Sequence, residues 1–211
     1  MQTVIDEFTR KLDEMEQFAV AAEQWASLPL TAGTTKFSLQ HKEIIVESAF
    51  LRAFHAWEVF LEESFVSYLL GNTPPKGSPP KCKISVTRRE VALQVLNSEG
   101  APFIPWTVPA KVVTRAENFF DNGLPYAPII NNQSSRLTEA STVRNAVAHA
   151  QSSAQDKFLK IVRRELTTIP TSGITVGRFL ATRVPRSKPP ESFFTQYLNR
   201  FRYVADQIVP H

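Results

Sequence analysis

The sequence predicts an all-α protein, a bundle of about six helices in which two long N-terminal helices pack antiparallel. Apolar residues recur at spacings of three and four through most of the chain, the signature of amphipathic helices. Prolines cluster between these periodic segments rather than inside them. The chain has 211 residues, 43% of them hydrophobic, enough to form the core of a single helical domain spanning 1–211. At 21% charged residues it is no disordered polyelectrolyte.

The first helix covers 1–27, with Val4, Phe8, Leu12, Met15, Phe18 and Ala22 on one face. Pro29 and the threonines of 31–35 end it. A longer helix runs from Ser38 to Leu70. Its stripe of Ile44, Phe50, Leu51, Phe54, Trp57, Leu61, Phe65, Tyr68 and Leu69 makes it the central element, and Gly71 closes it. Residues 72–83 hold four prolines in twelve, so 72–86 is a mobile, extended surface loop. Thr87-Arg88-Arg89-Glu90 has capping-box spacing and opens a short helix to Asn97. Residues 101–109 form a proline-punctuated connector with Phe103 and Trp106 as anchors. Pro109 starts a helix to Asp121, closed by Asn122-Gly123. The next helix starts at Ser134 or Ser135 and ends at Ala150, with Leu137, Ala140, Val143 and Val147 inward. Ser153-Ala154-Gln155-Asp156 opens another to Thr167. Residues 168–185 read as either a short strand pair or an irregular crossing, the start of a C-terminal extension over 168–211. Pro189-Pro190-Glu191 begins the last helix, which carries Phe194, Tyr197, Leu198, Phe201 and Val204.

Net charge is +4 but unevenly spread. Residues 144–211 hold 11 lysines and arginines against four acids, while the rest of the chain is net negative. Such a surface suits a polyanion such as RNA, or is simply a set of solvated helix faces. The lone Cys82 cannot close an internal disulfide, which points to a reducing compartment. The N-terminus has acids at once and no apolar core, unlike a secretory signal, so a cytoplasmic location is expected. The most apolar stretch, 44–70, carries Glu47, Arg52, His55, Glu58, Glu62 and Glu63, which argues against a membrane span.

The chemistry-bearing run is Ser141-Thr142-Val143-Arg144-Asn145-Ala146-Val147-Ala148-His149-Ala150. Cutting a phosphodiester without metal needs a base, an acid and a cation at the phosphate. Histidine titrates near ~6.5 when free and serves as base or acid. Arginine offers a permanently charged planar fork for phosphate oxygens. Asn145 orients a neighbour or substrate by hydrogen bonding. At ~100° per residue, Asn145 and His149 share a helix face, while Arg144 and His149 stand roughly 140° apart. A twofold dimer of facing helices would reunite one arginine and one histidine in each shared cleft. The plainer reading pairs Arg144 with Glu139 or another acid and leaves His149 at a helix C-terminus, where a cation is favoured.

Val143-Arg144-Asn145-Ala146-Val147-Ala148-His149-Ala150 resembles the Arg-(x)4–6-His signature of the HEPN superfamily, in which a polar residue follows the arginine. Ala56-Trp57-Glu58-Val59-Phe60-Leu61-Glu62 resembles the family's earlier helix, where a glutamate follows an aromatic or apolar residue. The layout over 40–170 is similar to the RiboL-PSP branch of that superfamily. The resemblance implies an all-α dimer joined through the motif helices and, in many members, metal-independent endoribonuclease activity with no cofactor. It also implies toxin–antitoxin, abortive-infection or other defence roles, with RNA as substrate and an antitoxin or regulatory protein as a further partner. Some members keep the fold as binding modules only. Carried over by residue, Arg144 and His149 are the catalytic pair and Asn145 supports them; a separate expectation is that Glu58 contacts the motif helix and orients Arg144 or His149.

Other constellations compete weakly. His55, Glu58 and Glu62 have the spacing for a metal or proton relay, but no His/Cys cluster completes a ligand set, and core packing is the simpler reading. No glycine-rich phosphate loop exists among seven glycines. Cys82 lacks partners for a catalytic thiol. Trp106 either anchors the connector or stacks a base.

Overall fold

The computed structural model describes residues 1–28, 37–97, 105–149, 152–167 and 172–211. Among these residues the chain forms eight α-helices: α1 (Gln2–Ser27), α2 (Leu39–Leu69), α3 (Arg89–Leu96), α4 (Pro109–Phe119), α5 (Tyr126–Ala148), α6 (Ser152–Glu165), α7 (Val176–Ala181) and α8 (Phe193–Ile208). A 3-10 turn, Asp121–Gly123, follows α4. Bridges between Cys82 and Phe120, and between Arg183 and Ser192, are the extent of β pairing among the described residues. The all-α class is therefore right. No described helix is long and apolar enough to cross a membrane.

The chain divides into two compact units, each drawn from separated segments. The first takes Met1–Thr9, Ala56–Ser141 and Arg200–His211; the second takes Arg10–His55 and Thr142–Asn199.

The first unit is built on aromatic packing around the C-terminal half of α2. Phe8 lies 4.7 Å from Phe60, and Trp57 stacks on Phe201 at 5.3 Å. Phe65 meets Phe120 and Tyr126 at 4.7 and 4.9 Å. Two phenols keep hydrogen bonds inside this apolar mass: Tyr68 donates to the Ile208 carbonyl at 2.7 Å and Tyr126 to Ser64 Oγ at 3.0 Å. Burial pushes the Tyr68 phenol up to about 12 and that of Tyr126 well above its ordinary value, so both stay neutral donors.

The Pro-rich segment is a loop, as its prolines require, but it is strapped down. Lys76 N–H donates to the Pro210 carbonyl and its ammonium to the His211 carbonyl. Lys83 N–H donates to Phe119 O, Asp121 N–H to Lys81 O, and Pro74 is buried. These long-range bonds tie the loop to the C-terminus and to the end of α4.

In the second unit Phe50 packs on Tyr197 at 5.6 Å and Phe179 stacks on Phe193 at 4.3 Å. Here α7 replaces the expected strand pair or irregular crossing, although 168–171 lie outside the described residues. Val176, Phe179 and Leu180 are buried at helical spacing, and Thr175 Oγ1 caps the turn by accepting from Arg178 N–H at 3.0 Å. Two carboxylates of α2 hold α7. Glu43 accepts from Thr175 Oγ1 at 2.7 Å and Arg178 Nε at 3.0 Å; Glu47 accepts from Gly177 N–H at 2.7 Å.

Other boundaries also moved. Helix α5 starts at Tyr126, not Ser134, because Tyr126, Ala127 and Ile130 are buried and Pro128 falls in the first turn, where it costs no hydrogen bond. The Thr87–Glu90 capping box does not form: Arg88 is the N-cap without a side-chain bond, and Arg89 instead grips Glu63 through two bonds of 2.6 and 2.5 Å. Ser192, not the Pro-Pro-Glu run, caps α8, accepting from Thr195 N–H at 3.1 Å.

Candidate functional site

The motif occupies the last turn of α5, within the second unit. Val143 and Ala146 are buried there and fix the rotation of the turn. Arg144 is half-buried while Asn145 is exposed. Residues one apart on a helix point in different directions. The long arginine stem overcomes that, and Nη1 donates to Asn145 Oδ1 at 3.1 Å. This is the one side-chain hydrogen bond Arg144 makes among the described residues, so most of its fork is left for another acceptor.

His149 lies just past the end of α5. Its N–H closes the last turn on the Asn145 carbonyl at 2.9 Å, and its imidazole is exposed, without a hydrogen-bond partner among the described residues. The next carbonyl, Ala146, accepts from Gln155 Nε2 of α6 at 2.8 Å. Gln155 thus ties α6 to the end of the motif helix and satisfies one of the carbonyls a helix end leaves open. Sequence reasoning missed this role; Gln155 stood only as a filler in the expected capping box. Ala150, the expected final residue of the helix, lies outside the described residues.

The structure thus brings Arg144 and Asn145 together and sets His149 at the end of the same turn. Glu58 is half-buried on α2 and belongs to the first unit, whereas Arg144, Asn145 and His149 belong to the second. Glu139 is buried, and its carboxylate takes the Arg136 guanidinium at 2.9 Å.

Of the competing constellation, His55 is exposed while Glu58 and Glu62 are half-buried. Glu62 accepts from the Trp106 indole N–H at 2.9 Å, and Trp106 is buried, an anchor rather than a stacking platform. Phe103, the other expected anchor, lies outside the described residues. Among the described residues no three His, Cys, Asp or Glu gather as a metal site. Burial pushes the Cys82 thiol up, away from a thiolate, and its Sγ lies 3.3 Å from the Tyr68 carbonyl.

Sequence reasoning also passed over Arg115 of α4. This arginine is buried, with the guanidinium 5.1 Å from the centre of the Trp106 ring.

Comparison with models of known protein families, with curated proteins and with solved structures gives no match.

Proposed function

We propose that the chain is a metal-independent endoribonuclease of HEPN type, with Arg144 and His149 acting in a cleft completed by a second copy. The observation that carries this reading is the unfinished chemistry at the end of α5. An arginine fork is anchored on Asn145 by one bond, and an exposed imidazole stands within the same turn, without an orienting partner among the described residues. A general base needs an orienting group, and a phosphorane needs a cation at its oxygens. A facing copy of the same helix end supplies both by symmetry. In the reaction, His149 of one copy removes the ribose 2′-OH proton, and the 2′ oxygen attacks phosphorus. The Arg144 guanidinium neutralises the added charge. The second imidazole protonates the departing 5′ oxygen, leaving a 2′,3′-cyclic phosphate and a 5′-hydroxyl. The basic composition of 144–211 fits an RNA substrate. By resemblance, the biological setting is a cytoplasmic toxin or defence effector held in check by an antitoxin or regulatory protein.

The test is cleavage of RNA by purified protein in excess chelator, with product ends identified. Arg144→Ala and His149→Ala should each lower the rate about 10²–10⁴-fold, the usual worth of acid–base or charge stabilisation, while leaving the fold intact. Mixing the two inactive variants should restore part of the activity if each cleft draws on two chains. Cleavage by His149→Ala at the parent rate would refute the assignment. Tight RNA binding without turnover would favour a non-catalytic binding module of the same fold.

A further inference from the structure

Within the second unit, α1 and the segment joining α7 to α8 line a cavity of about 260 Å³. Glu16, Ala19, Val20 and Glu23 follow at i, i+3, i+4 and i+7, so α1 gives it one wall, two apolar side chains between two carboxylates. A second wall holds Arg183, Glu191 and Ser192. The bridge between Arg183 and Ser192 sets these two opposite each other. Bonds on either side keep that register: Val184 N–H donates to the Glu191 carbonyl at 2.9 Å and Phe193 N–H to the Thr182 carbonyl at 3.1 Å. Side chains of a directly opposed pair leave the backbone on the same face, so the guanidinium stem stands beside the serine that caps α8. Val46 and Phe194 are buried and form an apolar floor.

The cavity thus carries both signs of charge around hydrocarbon. Arg183 is exposed, and its guanidinium makes no hydrogen bond or ion pair among the described residues, so the whole fork is open to a ligand. Glu23 pairs with Lys42, and Glu191 accepts from the Asn199 amide at 3.2 Å. A carboxylate has about four acceptor sites, so one such partner does not exhaust it. A simple anion on Arg183 would meet carboxylates, and a simple amine on the carboxylates would meet the guanidinium. A molecule bearing both charges satisfies both walls, a carboxylate suiting the planar fork and an ammonium the acids. The volume equals that of roughly eight or nine liquid waters at about 30 Å³ each. It falls short of the roughly 300 Å³ at which sites for drug-sized molecules begin. A small zwitterion with a short hydrocarbon arm fits the size, the charges and the floor together.

We propose that this cavity binds a free amino acid with an aliphatic side chain. Its carboxylate sits on Arg183, its ammonium on a carboxylate of the α1 wall, and its side chain over Val46 and Phe194. The site shares no residue with the Arg144–His149 chemistry.

The test is calorimetric titration of the parent chain with L-leucine and with two truncated analogues. Isocaproate lacks the amino group and isoamylamine lacks the carboxylate. Leucine binds, and each analogue binds about tenfold more weakly, the worth of one charge-assisted contact at a partly exposed site. Arg183→Gln weakens leucine about tenfold and leaves isoamylamine unchanged, a split that a purely structural role for Arg183 would not produce. Ala19→Phe, which fills the space beside the α1 wall, removes binding of all three. Lys160→Gln, the same charge change at an exposed position of α6, binds leucine as the parent does. Each variant is first required to keep the parent's far-ultraviolet spectrum. Leucine that binds no more tightly than either analogue overturns the proposal. So does equal leucine binding by the parent and Arg183→Gln, undiminished binding by Ala19→Phe, or a parent that takes up no leucine.

Discussion

Replacing Gly177 by alanine sets helix propensity against packing, and the structure decides the sign. Gly177 sits in the first turn of α7 and has no left-handed backbone, so alanine there should gain about 1 kcal/mol from propensity alone. An alanine Cβ would lie 2.4 Å from the Glu43 carbonyl oxygen, 2.7 Å from its carbon and 2.8 Å from its Cα. All three are backbone atoms of α2, which cannot swing aside as a side chain would. Ordinary van der Waals contact begins near 3.4 Å, so α7 must retreat by about an ångström. That movement stretches the Gly177–Glu47, Thr175–Glu43 and Arg178–Glu43 bonds together. Overpacking costs about 1–3 kcal/mol. The half-buried Glu47 bond, charge-assisted, adds about 1.5–3 kcal/mol if it breaks. The two bonds of Glu43 reach exposed partners and add less. Against the propensity gain, the net loss is about 1.5–5 kcal/mol. At about 2–4 °C per kcal/mol for a chain of this size, the melting temperature should fall by roughly 3–20 °C. Thermal unfolding followed by far-ultraviolet circular dichroism measures it. A Gly177→Ala chain that melts at or above the parent temperature would show that α7 is not seated on the α2 backbone.

The Glu43–Glu47 latch should also give stability a pH dependence. Burial pushes the Glu47 carboxyl up, the Gly177 N–H opposes this, and the Glu43 charge adds to it. The folded chain then holds this proton more tightly than the unfolded chain, whose carboxyl titrates near 4.5. The stabilisation is greatest below 4.5 and is lost as pH rises through the raised folded value. Glu47→Gln keeps an acceptor for Gly177 but removes the charge. Its melting temperature relative to the parent should therefore climb across that window and level off above it, and a constant difference from pH 4 to 7 would refute the account. Tyr126→Phe removes the bond to Ser64, but the Ser64 hydroxyl still donates to the Leu61 carbonyl at 3.1 Å. No buried donor is stranded, so urea unfolding should show a loss of only about 1 kcal/mol.

What the sequence revealed depended on whether the governing contact was local. Helices α1 and α2 were legible because Phe8, Leu12 and Met15, and then Phe50, Phe54, Trp57, Leu61 and Phe65, repeat at helical spacing and are all buried. The start of α5 was hidden by Asn131-Asn132-Gln133-Ser134-Ser135, a run of weak helix formers and cap-like residues that packing of Tyr126 and Ile130 overrides. The strapping of the Pro-rich loop had no local signal, since Lys76 finds its partners at Pro210 and His211. Helix α7 did have one: Val176, Phe179 and Leu180 keep a helical period, obscured by the glycine that lets the turn approach α2.

The candidate site divides the same way, and so does the buried arginine of α4. Arg144, Asn145 and His149 were legible because their types and spacing suggest a reaction. Their geometry was not, because the arginine folds back on its neighbour and the histidine lies beyond the last helical residue. Arg115 was overlooked because an arginine on an amphipathic helix normally faces water. Yet α4 buries Val112, Val113 and Ala116, and a charge at 115 falls among those inward positions rather than opposite them. The Arg115 guanidinium is seated 5.1 Å from the centre of the Trp106 ring, which lies outside the helix, and a contact of that kind leaves no mark in the local pattern of α4.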